Sequence, residues 1–299
     1  MKKPTTYDEQ IQLLKNHGLI IEDEEKAKNI LSNLNYYSFT GYLLQFKNKN
    51  GDYIENITFD KIYKIYLFDK KFRSILLQEL ETIEIALKTK LAYVSAHKIG
   101  EEGYKDKSNF KDKKEFDIFI GKFKNLKRKN KHLDYVQHHN ENYNGNMPIW
   151  VAINLFTMGM IYNFYKNIAE NTNPNLEIKG NNTQSIKKQL AKQYNTSDKI
   201  LESWIENILY VRNMFAHYMR IYNVKLQKIP LKCKVNHNNN YIVTHRIFDV
   251  VHIMKFLVLD IEEWNNTLTN IEALFEQYQN YININLLGFP ENWREILKK

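Results

Sequence analysis

The sequence predicts an all-α fold, a helical bundle with an N-terminal helical extension and a Lys/Asn-rich insertion. Three observations carry that prediction. Apolar residues recur at the i, i+3, i+4, i+7 spacing of one helix face over long segments. Only 5 Pro and 10 Gly punctuate 299 residues, too few for a turn-rich β architecture. Cys233 is the sole cysteine, so no internal disulfide framework can replace a packed core.

The N-terminal helical region is read over 1–57. Thr6-x-x-Glu9 has the form of a capping box ahead of Ile11 and Leu14, and Gly18 stands where a C-terminal cap would end that helix. Ala27, Ile30, Leu31 and Leu34 mark a second helix, followed by Asn35-Tyr-Tyr-Ser-Phe-Thr-Gly-Tyr42. Asn50-Gly51 is a turn signal and permits a short hairpin between Leu43 and Thr58.

The bundle itself is read over 58–299. Its longest helical signal runs from Thr58 to about His97, with Ile62, Tyr66, Ile75, Leu76, Leu80, Ile83, Leu87 and Leu91 as the buried stripe. Arg73, Glu81 and Glu84 are expected at the surface by default, although Glu84 can instead pair with a basic residue on a facing helix. The basic insertion, 100–146, has Phe110, Phe116, Phe119 and Phe123 as periodic anchors and a mobile end at His138–Asn146. Pro148-Ile-Trp150 opens a helix through Leu155, Met158, Ile161 and Phe164, and another spans Ser185 to Tyr194. A second irregular insertion, 225–246, permits one small β-hairpin. The last long helix carries Val250, Val251, Met254, Leu257, Ile261, Trp264, Leu268 and Ile271.

Composition narrows the class of function. With 43% hydrophobic and 26% charged residues, the chain reads as an ordinary soluble globule. No run approaches the roughly 20 apolar residues of a spanning helix, and the N-terminus lacks the apolar core of a secretion signal. A cytoplasmic setting without a membrane partner is expected. The net charge of +9, from 43 basic and 34 acidic residues, favours a polyanionic partner. The excess is concentrated between Lys122 and His132, where Lys124, Lys127, Arg128 and Lys129 are candidate phosphate contacts or else a solvated surface. Cys233, His237 and His245 lack a fourth ligand and metal-site spacing, so neither a metal nor another cofactor is expected.

The richest segment is Tyr210-Val-Arg-Asn-Met-Phe-Ala-His217-Tyr-Met-Arg220-Ile-Tyr-Asn223. A helix turns about 100° per residue, so Asn213, His217 and Arg220 would form one polar stripe, with Arg212 roughly 140° around from His217. Two guanidinium groups and an imidazole in so small a space favour a shared anion, and phosphate is the obvious one. Plain dipole complementation at a helix C-terminus is the alternative.

Taken in order, several blocks resemble the abortive infection (Abi) family of bacterial phage-defence proteins, of the AbiD/AbiF type. They are Asn35–Tyr42, Tyr66-Leu-Phe-Asp-Lys-Lys-Phe-Arg73, Glu81-Thr-Ile-Glu84-Ile-Ala-Leu-Lys88, Pro148-Ile-Trp150, Arg212-Asn-Met-Phe-Ala-His217 and Gly288-Phe-Pro-Glu-Asn-Trp293. The similarity spans roughly residues 10 to 295. It implies membership of the HEPN superfamily of all-α ribonucleases, whose signature of Arg, a polar residue and His falls on Arg212, Asn213 and His217. It also implies a homodimer in which two copies of that helix meet, and control by a small structured RNA. Relatives often carry a second His directly after the first; Tyr218 stands there instead.

An RNA substrate brings its own nucleophile, the ribose 2′-OH. An imidazole can act as base or acid near neutral pH, which suits His217. Arg212 would neutralise charge growing on the phosphorane, Asn213 would orient His217 or bind phosphate, and Arg220 would hold a neighbouring phosphate. The function expected is therefore a metal-independent RNA endonuclease toxin of anti-phage defence. The alternative is a non-catalytic RNA-binding module that sequesters RNA or a partner.

Overall fold

The computed structural model describes residues 3–48, 50–170, 185–232 and 242–299. Helix α1 (Tyr7–Asn16) starts as its capping box predicts: the Thr6 hydroxyl accepts from the Glu9 N–H, and the Glu9 carboxylate accepts from the Thr6 N–H. Gly18, at φ 91, turns the chain away after the helix. Helix α2 (Glu24–Asn33) is capped by Asp23 and buries Ala27 and Leu31. Helix α3 (Tyr36–Leu43) begins at Asn35, whose side-chain oxygen accepts from the N–H groups of Tyr37 and Ser38.

The stretch between α3 and the next helix forms no strand. The hairpin expected between Leu43 and Thr58 is reduced to one isolated bridge, Lys47 to Tyr53. Around it the Asn48 N–H is donated to Asp52 O and the Ile54 N–H to Phe46 O, both at 2.8 Å, while the Tyr53 N–H points outward to His17 O at α1's exit.

Helix α4 (Phe59–Ile99) is the axis of the molecule, with 41 residues and a length of about 60 Å at 1.5 Å per residue. The Thr58 hydroxyl caps its start, and Gly100, at φ 78, ends it. Buried Ile62, Ile65, Phe68, Phe72, Leu76, Leu80, Ile83, Leu87 and Leu91 keep one stripe committed along its length. Tyr66 and Ile75, expected in that stripe, are only half-buried, whereas Phe68 and Phe72 lie at its centre.

Next come α5 (Lys113–Lys129) and α6 (Asp134–Asn142). Phe110, Phe116, Phe119 and Phe123 are all buried, as their periodicity predicts; Phe110, Phe119 and Phe123 meet Tyr104, Phe156 and Phe164 edge-to-face, and Phe116 packs tilted against Phe110. In the segment expected as a mobile end, His138–Asn146, residues 138–142 form the second half of α6. The single apolar helix expected after Pro148 is two helices, α7 (Ile149–Ala152) and α8 (Met158–Asn167), joined by a 3₁₀ turn. Thr157 causes the break, because its hydroxyl accepts from the Met160 N–H and starts a new helix.

Helix α9 (Ile186–Lys192) lies within the predicted span and leads into α10 (Asp198–Ala216). The last long helix is also broken, into α11 (Ile247–Leu257) and α12 (Ile261–Tyr278), because Asp260 caps the N–H groups of Glu262 and Glu263. Helix α13 (Trp293–Leu297) closes the chain against α11. The hairpin and metal-ligand candidates around Cys233 and His237 lie outside the described residues.

Among the described residues the fold is all-α, with no β-strand. One hydrophobic cluster runs from Ile11 to Leu297. Helix α10 is wedged against α4, α8, α9 and α11, which fixes the position of its C-terminal end. No described helix is long and apolar enough to cross a membrane. Phe156 is fully buried among Tyr104, Phe119 and Phe123. Phe156→Ala is therefore expected to destabilise the protein by about 3–5 kcal/mol, read from urea unfolding.

Candidate active site at the end of helix α10

The Ser197 hydroxyl starts α10 by accepting from the Ile200 N–H. Leu201, Trp204, Ile205, Ile208, Val211, Met214 and Phe215 are buried, so one face belongs to the core. Trp204 anchors it further, donating from its indole to Leu231 O at 2.8 Å and stacking on Phe256.

The helix stops at Ala216, and His217 is its C-cap. The Met219 N–H is donated to Met214 O at 2.9 Å and the Tyr218 N–H to Phe215 O at 3.0 Å, the two bonds of a Schellman ending. Such an ending needs a left-handed residue between them. Glycine is usual there; this chain uses Tyr218, at φ 57, with its side chain 84% exposed.

This early stop overturns one expectation. Arg220 does not continue a helical stripe with Asn213 and His217. The chain reverses at Tyr218, and the Arg220 guanidinium lies 5.7 Å above the centre of the Tyr42 ring. Burial lowers the Arg220 pKa there, against the opposing pull of Tyr42 and Asp69. Asn213 and His217 do stay together: the His217 N–H is donated to Asn213 O at 3.1 Å, and both residues are exposed.

Arg212 turns toward α4. Its Nε lies 3.8 Å from Glu84 Oε2, while Lys88 Nζ lies 2.9 Å from Glu84 Oε1. The pairing open to Glu84 in the sequence is therefore formed. Lys88 was not anticipated, although its i, i+4 spacing from Glu84 was a legible signal. The Arg212 side chain is 43% exposed, so the pair is worth no more than about 1 kcal/mol and aims the guanidinium more than it stabilises the fold. Arg212 borders a groove of about 470 Å³ that follows α4 past Leu77, Gln78, Glu81 and Ile85.

Behind the site sits a buried polar centre that the sequence did not flag. Asp69 is fully buried and accepts from Tyr42 Oη and Arg73 Nη1, both at 2.6 Å. It also accepts from the backbone N–H groups of Ile221 at 3.2 Å and Tyr222 at 2.9 Å. Arg73 is buried too, not surface-placed as expected, and donates to Met219 O at 3.3 Å. Burial drives the Asp69 pKa up, while Arg73 and these donors pull it back. One carboxylate thus ties α3, α4 and the chain just beyond His217 together.

The basic run occupies the last turns of α5, where positive charge complements the helix dipole. Lys124, Arg128 and Lys129 are exposed there. Lys127 differs: its Nζ donates to Gly145 O at 2.5 Å, and burial together with Lys105 lowers its pKa. That lysine straps the loop after α6 to α5.

The family model for Abi-like proteins matches residues 29–223. The chain belongs to the Abi-like family. No curated protein and no solved structure matches the chain. The Abi-like span contains every residue of the Asp69 centre, Glu84, Lys88 and the Arg212–His217 segment, and it stops short of Gly288–Trp293. Membership therefore rests on the part of the chain that builds this site, and it connects the protein with abortive infection defence.

Asp69→Asn would leave the Arg73 charge buried without its counter-ion, with an expected loss of about 3–5 kcal/mol in denaturant unfolding. The paired replacement Asp69→Leu with Arg73→Met should cost at least as much, because it leaves the Tyr42 hydroxyl and the Ile221 and Tyr222 N–H groups without their acceptor. Tyr218→Gly should act in the opposite sense, since it relieves a left-handed conformation worth about 1 kcal/mol without removing buried surface. A fall in melting temperature for Tyr218→Gly would contradict that account.

Proposed function

We propose that this Abi-like protein is a metal-independent RNA endonuclease of the HEPN type, acting as a toxin in abortive infection. The observation that carries the reading is the accessibility of Arg212, Asn213 and His217 at one helix end. Asn213 and His217 are exposed at the tip of the helix, and Arg212, held toward Glu84, lines an open groove along α4.

The chemistry follows from the substrate. His217 takes the proton from a ribose 2′-OH, whose oxygen attacks the adjacent phosphorus. Arg212 neutralises charge on the non-bridging oxygens of the phosphorane, and Asn213 bonds to phosphate or steadies the imidazole. The P–O5′ bond then breaks, and a proton must reach the departing 5′-oxygen. His217 of the partner subunit supplies it, since one imidazole cannot readily stand on both sides of the phosphorus. Dimerisation through the α10 end is thus part of the mechanism. Arg220 and the exposed Lys124, Arg128 and Lys129 attract flanking phosphates. A small structured RNA holding the same groups would keep the toxin silent.

Cleavage should yield 2′,3′-cyclic phosphate and 5′-hydroxyl ends without added metal, and DNA, lacking the 2′-OH, should survive. His217→Ala is expected to abolish cleavage while leaving thermal stability almost unchanged, because the residue is exposed. Arg212→Ala should slow the chemical step by about 100-fold or more, with a smaller effect on RNA binding. End mapping of the products checks both. Tight RNA binding by the wild type with no cleavage under any condition would favour the sequestering module instead.

A further inference from the structure

We infer that the cleft between α1, α2 and α3 is a nucleobase-binding subsite for single-stranded RNA, and it takes the base next to the phosphate held by Arg220. This deepens the reading proposed above and rests on it.

The cleft is large, about 920 Å³, and among the described residues its lining contains no carboxylate, the nearest partner of that kind being Asp52, 3.4 Å from the His17 imidazole. Gln10, His17, Asn33, Asn35, Tyr36 and Tyr37 supply amides, an imidazole and phenol rings, over apolar contacts from Leu13 and Leu31. Two amides are already oriented by the fold. The Asn35 side-chain oxygen caps α3, so its NH2 group is left to donate. The Asn33 NH2 group donates to Asn29 O at 2.9 Å, so its side-chain oxygen is left to accept. A donor and an acceptor held beside aromatic faces are what reading one unstacked base requires.

Tyr37 provides the stacking surface. Its ring is 74% exposed, with Tyr36 edge-on at 5.8 Å between centroids. Tyr42, further along α3, is consumed by the core and by Asp69, so the aromatic residues of this block divide between packing and an open face. An exposed tyrosine at the rim of a polar cleft gives the fold little, whereas base stacking gains from it.

The position of the cleft relative to Arg220 turns a pocket into a subsite. Tyr37 and Gly41 are four residues apart on α3, hence on one face and about 6 Å apart along the axis. Gly41 faces Arg220: a Cβ there would stand 3.9 Å from Arg220 Nε. The position bearing the stacking ring and the position beside the Arg220 guanidinium therefore lie one turn apart on the same helix face.

The test uses full-length protein carrying His217→Ala, so that RNA binds without being cut. Affinity for a fluorescein-labelled, single-stranded oligoribonucleotide is read by anisotropy. Tyr37→Ala should weaken binding about tenfold, Tyr37→Phe should restore it, and Asn33→Asp, which places a carboxylate in the cleft, should weaken it comparably. Both positions are exposed, so thermal melting should not change. If Arg220→Ala weakens binding while Tyr37→Ala and Asn33→Asp bind like the parent, the subsite is wrong and the nuclease reading stands. If the parent binds no RNA, both fall.

Discussion

A single buried carboxylate holds the geometry of this protein in register. Asp69 sits on the central helix where no water reaches it, and it receives donors from α3, from Arg73 one turn ahead and from two peptide groups beyond α10. Such a group is costly to bury and tolerable only when each lone pair is met. The cost makes the arrangement selective. A chain that placed α3 or the Ile221–Tyr222 turn elsewhere would leave the carboxylate with Arg73 alone and its other lone pairs unmet, so such packings are penalised. Arg73 extends the same constraint to Met219. The chain carrying the candidate site is thus pinned on its far side within two residues of His217.

The ending of α10 has a second consequence. Had the helix continued, Arg220 would have lain on the same stripe as Asn213 and His217, crowding cationic groups on one surface. The left-handed Tyr218 instead sends Arg220 over the Tyr42 ring, while His217 remains at the tip and Arg212 leans toward Glu84. Charges close together in the sequence are spread across three directions.

Much of the fold was legible because it follows from local rules. The capping box at Thr6, the stripe of α4, the phenylalanine anchors of α5 and the apolar face of α10 are all short-range patterns with one physical outcome. The misses share a cause as well. Thr157 and Asp260 lie inside runs with uninterrupted helical periodicity, and periodicity alone cannot weigh a capping side chain against one more turn. Arg73 read as a surface residue because charge is normally exposed. An Asp and an Arg four residues apart on an otherwise apolar face were the available clue to a buried pair.

By itself, the sequence determined the helical class, the order of the helices and the residue types gathered at Arg212, Asn213 and His217. Those properties depend on neighbours within a few positions, where spacing and propensity act directly. Only the tertiary structure decided that Asp69 receives the Ile221 and Tyr222 amides, that Glu84 and Lys88 face Arg212, and that Arg220 lies against α3. Each of these joins residues far apart in the chain. Their meeting depends on how whole helices dock and on where one left-handed residue turns the backbone, which no local pattern encodes.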